Sequence, residues 1–488
     1  MNVREYVHVI DGAEVPPTSQ KWIVRESPAT GRRVSQFADG TAEDCQKAIG
    51  AARKAFDAGP WPKLSGQERS HYLSRWADKI EEHKEYLASI EAEEVGKPIR
   101  FARGDIDGAI GLTRYAASLA WQMHGESITN LGPSKTALVV REPIGVVVAI
   151  IPWNFPGLIF AQKVPFALAA GCTTVVKPSE MTSGTAVEIT RLALQVGIPS
   201  GVINVVTGYG DPAGETLSRS PEIDMICFTG STRVGRRIIA NSAETLKKVS
   251  VELGGKAANI VFPDADLEDA LDGTLMGVFF NQGEVCCAGT RLVIHEEIAD
   301  SFLERLVERT KQLRIGDPLD ENSDLGAVIS PDHYSRVLKY VDRGIEEGAQ
   351  LVVGGSKDSN GGCFVTPTIF DRVTPEMTIY REEIFGPVLS VIRFHSNEEA
   401  IRIANDTSYG LSNSVWSKNV DTVLSLSSQL KSGTVWVNTI LDGSPQLPFG
   451  GYKASGFGRE MGNAGFEEFT VVKTVLMHAG KRTPVFVR

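Results

Sequence analysis

From Ala42 to Ala58, and again from Gly66 to Glu94, apolar residues recur at three- and four-residue steps among charged ones, the spacing of amphipathic helices. A short extended start precedes them, and residues 1 to about 120 read as mainly helical. Their charges suit solvated helix faces, and nothing there suggests chemistry. From Ile144 the texture changes. Short β-rich runs at Val146–Ile151, Thr173–Val176, Val202–Val206, Met225–Phe228 and Lys248–Val251 alternate with helical patterns at Leu158–Ala170, Gly184–Val196, Ala213–Ser218 and Arg233–Ala240. That rhythm predicts a parallel sheet with helices on its faces, and ligands bind such sheets at the carboxyl ends of the strands.

A second alternating block runs from about Ala257 to Phe449, with strands expected at Gly289–His295, Phe364–Ile369, Val388–Phe394, Ser412–Trp416 and Thr434–Val437. The tail from Val471 to Arg488 and the segment Ala137–Arg141 alternate apolar and polar residues, so each can add a strand to a neighbour. The chain shows no internal repeat and no low-complexity segment.

Composition narrows the class. With 488 residues, 42% hydrophobic and 23% charged, the chain is globular and long enough for two or three domains. A net charge of −10 argues against nucleic acid or an anionic membrane as partner. The start MNVREYVHVIDG lacks the apolar core of a signal peptide, and the run Ile144–Ile151 is broken by Pro152, Asn154 and Pro156, short of a membrane span. Six scattered cysteines (Cys45, Cys172, Cys227, Cys286, Cys287, Cys363) show no metal-ligand spacing, so no metal is expected and the cytoplasm is the natural compartment.

Candidate chemistry sits where strands end. In Phe279–Arg291 (FFNQGEVCCAGTR), an amphipathic run built on Leu267, Leu271, Leu275 and Met276 stops at Gly283, and two cysteines follow on a tight turn. One of them can be a nucleophile, or both can be small core residues. Asn154, between Pro152 and Pro156, is either a rigid donor to a developing oxyanion or part of a structural turn. Lys177 and Glu180 suit ribose hydroxyls at a strand end, or form a surface ion pair. The stretch Gly208–Gly214 nearly spells a dinucleotide fingerprint with one residue too many, whereas Gly230-Ser231-Thr232 stands between a strand and a helix, where free N–H groups can meet a diphosphate. Glu252 ends an apolar run as a candidate general base or as the partner of Lys256. Glu382 and Glu383, ending a loop before a strand, read as a solvated loop.

Seven motifs in sequence order (PWNFP, KPSE, FTGSTRVG, VELGGK, the G-E-V-C stretch, EEIFGPV and PFGGYKASGFGRE) resemble the aldehyde dehydrogenase superfamily over nearly the whole chain. The resemblance implies an α/β fold with a Rossmann-like parallel-sheet cofactor domain (1–123 and 144–254), an α/β catalytic domain (255–467) and a small β oligomerisation arm (124–143 and 468–488). It implies oxidation of an aldehyde to its acid through a cysteine thiohemiacetal and thioester. Cys286 is then the nucleophile, two places after Glu284, with Asn154 holding the oxyanion and Glu252 as base. Cofactor contacts are implied at Ile151, Pro152, Trp153, Lys177, Ser179, Glu180, Gly210, Phe228, Gly230, Ser231, Val234, Leu253, Gly254, Glu383 and Phe385. NAD is the expected cofactor and NADP the second choice. The substrate lining implied is Phe155, Leu158, Gln162, Phe280, Val285, Cys287, Gly443 and Phe449. Gln162 and Gly443 depart from the aromatic residues many relatives carry, which leaves an aromatic box for a quaternary ammonium incomplete. A roomy pocket for an aromatic or medium-chain aldehyde is expected instead, in a homodimer or homotetramer. A CoA-acylating semialdehyde dehydrogenase is disfavoured by Glu252, and a crystallin-like silent scaffold by the retention of Cys286, Glu252 and Asn154 together. A cysteine protease finds no local signature around Cys286.

Overall fold

The computed structural model describes residues 3–356, 361–482 and 485–486. Its first large sheet has eight strands. Five of them are parallel and lie side by side in the order Ile203–Val205, Thr173–Lys177, Val146–Ile150, Met225–Thr229, Lys248–Glu252. The chain therefore starts in the middle, winds outward to one side, returns and winds to the other. Helices Pro156–Ala170, Gly184–Gln195 and Thr232–Ala243 provide the long crossovers. The strands are almost wholly buried and rich in Val and Ile, as a sheet covered on both faces requires. The order reverses between Val146–Ile150 and Met225–Thr229, which opens a crevice beyond their carboxyl ends.

The second sheet has seven strands, six of them parallel, in the order Thr368–Asp371, Val388–Phe394, Arg291–His295, Ala258–Val261, Ser412–Trp416, Thr434–Val437, with Gln350–Val353 antiparallel at one edge. Strands Glu126–Ile128, Lys135–Pro143 and Thr470–His478 make a separate antiparallel sheet. The tail thus pairs with the segment around Ala137–Arg141 as its alternation suggests, but the strand ends at His478, and 483, 484, 487 and 488 lie outside the described residues.

Several expectations are corrected. The extended start is longer than short: five strands occupy Arg4–Ala38, and His8–Ile10 joins the large sheet through Val9 and Val205. The run Gly66–Glu94 is two helices, Gly66–Glu82 and Lys84–Val95, because His83 leaves helical geometry (φ −106°, ψ 12°). The strand expected at Phe364–Ile369 is shifted to Thr368–Asp371, the register that its neighbour Val388–Phe394 imposes. Ala258–Val261 and Gln350–Val353 are strands the alternation pattern did not single out.

Candidate active site

Each strand of the first sheet that borders the crevice delivers a polar residue there. Val146–Ile150 leads through Pro152 and Trp153 to Asn154, after which Pro156 opens the next helix at the position where a missing N–H costs nothing. Met225–Thr229 leads to Gly230 and Ser231, and Lys248–Glu252 ends on Glu252 itself. The thiol turn comes from the second block. Helix Leu267–Phe279 runs into three consecutive left-handed residues, Asn281 (φ 49°), Gln282 (φ 57°) and Gly283 (φ 72°). Two non-glycine residues in that region cost about 1–2 kcal/mol each. Buried contacts offset the cost: Asn281 Nδ2 donates to the carbonyls of Asn154 and Glu284 (both 3.3 Å), and Gln282 is bonded to Gly326 and Ala327. At Gly283 only glycine fits, since a Cβ would lie 2.3 Å from the Gly386 carbonyl oxygen. The turn is thereby pressed against the loop that carries Glu383 and Phe385.

Asn154 is fixed from both ends. Its side-chain Nδ2 donates to the Glu284 carbonyl at 2.9 Å, leaving the second amide N–H available. Its own carbonyl accepts from the buried Lys97 ammonium at 2.7 Å. Lys97 lies over the Phe155 ring (4.2 Å), pairs with Asp105 and has Glu91 at 3.8 Å. Burial raises the Glu91 carboxyl to about 7 against the pull of Lys97, and Glu91 Oε1 accepts from the Gly157 N–H (2.7 Å) at the start of the same helix.

Two cavities approach the thiol. One, of about 440 Å³, is lined by Pro152, Trp153, Asn154, Gly230, Ser231, Leu253, Gly254, Glu383 and Phe385, together with Met181, His333 and Arg336. The other, of about 480 Å³, is mostly apolar and is lined by Phe155, Leu158, Gln162, Phe280, Val285, Cys287, Gly443 and Phe449, together with Phe101, Gly104, Gly108 and Trp436. Among the described residues, Cys286 and Glu252 are the two that line both. Burial foremost, with Cys286 beside it, holds the Glu252 carboxyl well above the usual range. Glu252 Oε1 has no hydrogen-bond partner, and the alternative pairing with Lys256 is not formed, because Lys256 Nζ is also buried without a partner. The Cys286 thiol is held above its ordinary value by its hydrogen bond with Cys287 and by burial.

The remaining sequence candidates lie along the sheet edge outside these cavities. Lys177 is buried at its strand end, donates to the Pro178 carbonyl (3.0 Å) and has Glu180 at 3.9 Å. Ile151 donates its N–H to the Lys177 carbonyl (3.1 Å), Ser179 Oγ accepts from the Met181 N–H (3.3 Å), and Gly210 opens the turn that ends at Gly214, beside Lys177. Phe228 is buried behind Gly230, and Val234 donates its N–H to the Ser231 cap (3.4 Å). Lys97, Asn281 and His333, and also the helix face Phe101, Gly104, Asp105, Gly108, Leu112, belong to the site without their place in it being legible in the sequence. That face is visible as a helical period in the sequence, but nothing in one sequence says which cavity it meets.

The chain belongs to the aldehyde dehydrogenase family: the family model matches residues 15–475. It is 42% identical over 470 residues to aldehyde dehydrogenase family 2 member C4 of Arabidopsis thaliana, covering 96% of this chain and 94% of that protein. It is 42% identical to the betaine aldehyde dehydrogenase of Bacillus subtilis (strain 168), covering 96% of each. The crystal structure of an NAD-dependent aldehyde dehydrogenase from Sinorhizobium meliloti superposes with a TM-score of 0.99 at 47% identity, covering 100% of this chain and 97% of that one. Staphylococcus aureus betaine aldehyde dehydrogenase in complex with NAD+ gives a TM-score of 0.96 at 37% identity, covering 99% and 96%.

Proposed function

We propose that this chain oxidises an aldehyde to its carboxylic acid with NAD, using Cys286 as nucleophile, Asn154 as oxyanion donor and Glu252 as general base. The observation that carries the reading is that the polar and the apolar cavity share Cys286 and Glu252. One side can hold a cofactor, the other the body of an aldehyde, and the reacting carbon lies between them.

The polar cavity fits a dinucleotide. A Cβ at Gly254 would fall 2.3 Å from Glu383 Oε2, so glycine leaves that carboxylate open, and Oε1 already accepts from the Gly255 N–H at 3.0 Å. The N-terminus of helix Thr232–Ala243 offers N–H groups to a diphosphate, beside Gly230 and Ser231. Pro152, Trp153, Leu253, Gly254, Glu383 and Phe385 would surround the nicotinamide half, and Ile151, Lys177, Ser179, Glu180, Gly210, Phe228 and Val234 the adenosine half and diphosphate. NAD, when bound, supplies the acceptor for the hydride released as the thiohemiacetal becomes a thioester.

The chain's own groups do the rest. Cys286, its S–H proton first lost to solvent, forms a bond from Sγ to the carbonyl carbon as the C=O π bond breaks, and the carbonyl oxygen gains charge beside the unspent N–H of Asn154 and the backbone N–H of Cys286. A preformed donor of this kind contributes about 2.7–4 kcal/mol. Burial disfavours the Glu252 anion, so the deprotonated carboxylate is a stronger base than an exposed one. It takes a proton from water, the oxygen attacks the thioester, and the C–S bond breaks to return the thiolate and release the acid.

The same reading divides the chain into a cofactor domain (1–123 and 144–254), a catalytic domain (255–467) and an arm (124–143 with 468–488), with one short strand of the catalytic stretch, Gly456–Phe457, crossing to pair with Lys248–Glu252 in the first sheet. Strand Thr470–His478 is an edge strand with Val472 and Leu476 about 60% exposed, which supports assembly into a homodimer or homotetramer through this arm. All six cysteines are free, which supports a cytoplasmic setting. Among the described residues no helix is long and apolar enough to cross a membrane. NADH absorbance on mixing the protein with NAD and a panel of aldehydes, with and without CoA, tests the reaction. Turnover without CoA, lost in Cys286→Ala, is expected; absence of NADH with every aldehyde, or a requirement for CoA, would overturn it.

A further inference from the structure

The apolar cavity has a feature that aldehyde oxidation by itself does not require. Its polar side chains are almost all spoken for within the protein. Arg100 pairs with Asp324 (2.6 Å), Asp105 with Lys97, and Trp436 Nε1 donates to the Asp442 carbonyl (2.6 Å). Asp442 accepts from Thr439 (3.3 Å), and Ser444 donates to Gln446. Apart from Glu252 and the two thiols, which belong to the reaction centre, the remaining polar side chain is the half-buried Gln162, and among the described residues its carboxamide makes no hydrogen bond.

The wall around Gln162 has room for a bulky body. A Cβ added at Gly104 or Gly443 would meet nothing within 4 Å, so both glycines leave open space beside the cavity. Part of the lining is aromatic: Phe155 stacks on Phe280 (6.0 Å, 20°), and Phe101 meets Phe280 edge-on (4.7 Å, 70°). Planar rings pack well on such a surface. Gln162 sits on the helix that starts at Pro156, just after Asn154, and about 9 Å along its axis from that start. Gln162 and Cys286 line the same cavity of about 480 Å³, and an aromatic ring with a polar substituent fills more of it than a two-carbon aldehyde does.

We propose that the substrate is an aromatic aldehyde carrying a hydrogen-bonding substituent, such as a hydroxyl, on the ring, and that Gln162 is the specificity-determining residue that reads it. A carboxamide both donates and accepts, so it recognises a hydroxyl in either role. The inference rests on the aldehyde-oxidising reading above: the aldehyde end points to Cys286 and the substituent to Gln162.

The test compares kcat/KM for 3-hydroxybenzaldehyde, benzaldehyde and hexanal in the wild-type enzyme and in Gln162→Leu and Gln162→Met. NADH formation with any of the three establishes the reaction independently of the ring substituent, so failure of the inference and failure of the reaction are told apart. Wild type is expected to favour the hydroxylated ring over the bare ring, and both over hexanal. Each variant is expected to lower the hydroxylated-to-bare ratio about tenfold, the worth of one hydrogen bond. Taking the ratio between variant and wild type cancels the hydroxyl's electronic effect on the carbonyl. Gly443→Phe should depress both aromatic aldehydes relative to acetaldehyde by narrowing the cavity. A ratio near one in wild type overturns the proposal even if the variants do not fold, and so does a ratio that Gln162→Leu or Gln162→Met leaves unchanged.

Discussion

Asn154 donates its side-chain N–H to the carbonyl of Glu284 at 2.9 Å, tying the end of a central strand to the turn that presents Cys286. The bond fixes the amide, so the second N–H has a defined direction before any substrate arrives. Asn154→Ala is expected to lower kcat by about 10²–10³. KM should change less, since the lost bond is strongest once the oxygen is charged. Steady-state kinetics on one good aldehyde checks this. A purely structural Asn154 would instead show its loss in thermal stability with kcat nearly intact.

Cys286 lines both cavities, whereas Cys287 lines the apolar one alone. Cys286→Ala is expected to abolish oxidation, and Cys287→Ala to leave most of it. Cys287 also raises the Cys286 thiol through their hydrogen bond, so its removal should shift the acidic limb of thiol alkylation to lower pH. The rate of iodoacetamide labelling against pH reads that shift. Equal loss of activity in both variants would assign the wrong sulfur.

Burial raises Glu383 to about 7, while the Gly255 N–H, Lys256 and Arg336 pull it down. A carboxyl raised in the folded protein keeps a proton that the unfolded chain has released. This group therefore reduces stability as pH climbs from the usual carboxyl range to about 7, and adds no further pH dependence above that. Cofactor binding has the opposite sign, because an ionised Glu383 accepts ribose hydroxyls better. NADH affinity, followed by fluorescence, is expected to strengthen from about pH 6 to about pH 8. Glu383→Gln should flatten that rise. Lys256, lowered to about 7 by burial, loses its charge in the same window and works the other way on an anionic dinucleotide, so a fall in affinity uncovered in Glu383→Gln would belong to it.

Glu180 lies 3.9 Å from Lys177 at the sheet edge, with a third of its side chain exposed. A carboxylate there accepts ribose hydroxyls and repels a phosphate by a few kcal/mol at an effective dielectric of about 20; Lys177 offsets part of that. NAD is expected to be preferred over NADP, and Glu180→Ala to narrow the ratio of kcat/KM. A wild-type preference for NADP, or a ratio untouched by the substitution, removes Glu180 from the cofactor site.

Much of this arrangement is legible in the chain because it depends on local signals. The strand and helix rhythm from Val146 to Glu252 follows from alternating apolar runs, and Asn154, Glu252 and the Cys286 turn stand where those runs stop. What was not legible depends on distant partners. Strand His8–Ile10 is three residues long and acquires its place by pairing with Ile203–Val205. Ala258–Val261 is only one residue longer, and its neighbours come from residues 291–294 and 414–416. Lys97 reads as an ordinary charged residue in sequence; only the fold brings it to 2.7 Å from the Asn154 carbonyl. Gln282 in a left-handed conformation has no local signature at all, and the loop at Gly326 and Ala327 holds it there.

One carboxyl, Glu252, is expected to serve the second half of the reaction at a thiol shared by two cavities. Rapid mixing of Glu252→Gln with NAD and a good aldehyde tests it most directly, with NADH followed over the first turnover and afterwards. A burst approaching one NADH per active site is expected, followed by a steady rate reduced far more than the burst, because the thioester forms and then waits for water. A burst and a steady rate that fall together would contradict it, and would make Glu252 chiefly the activator of Cys286.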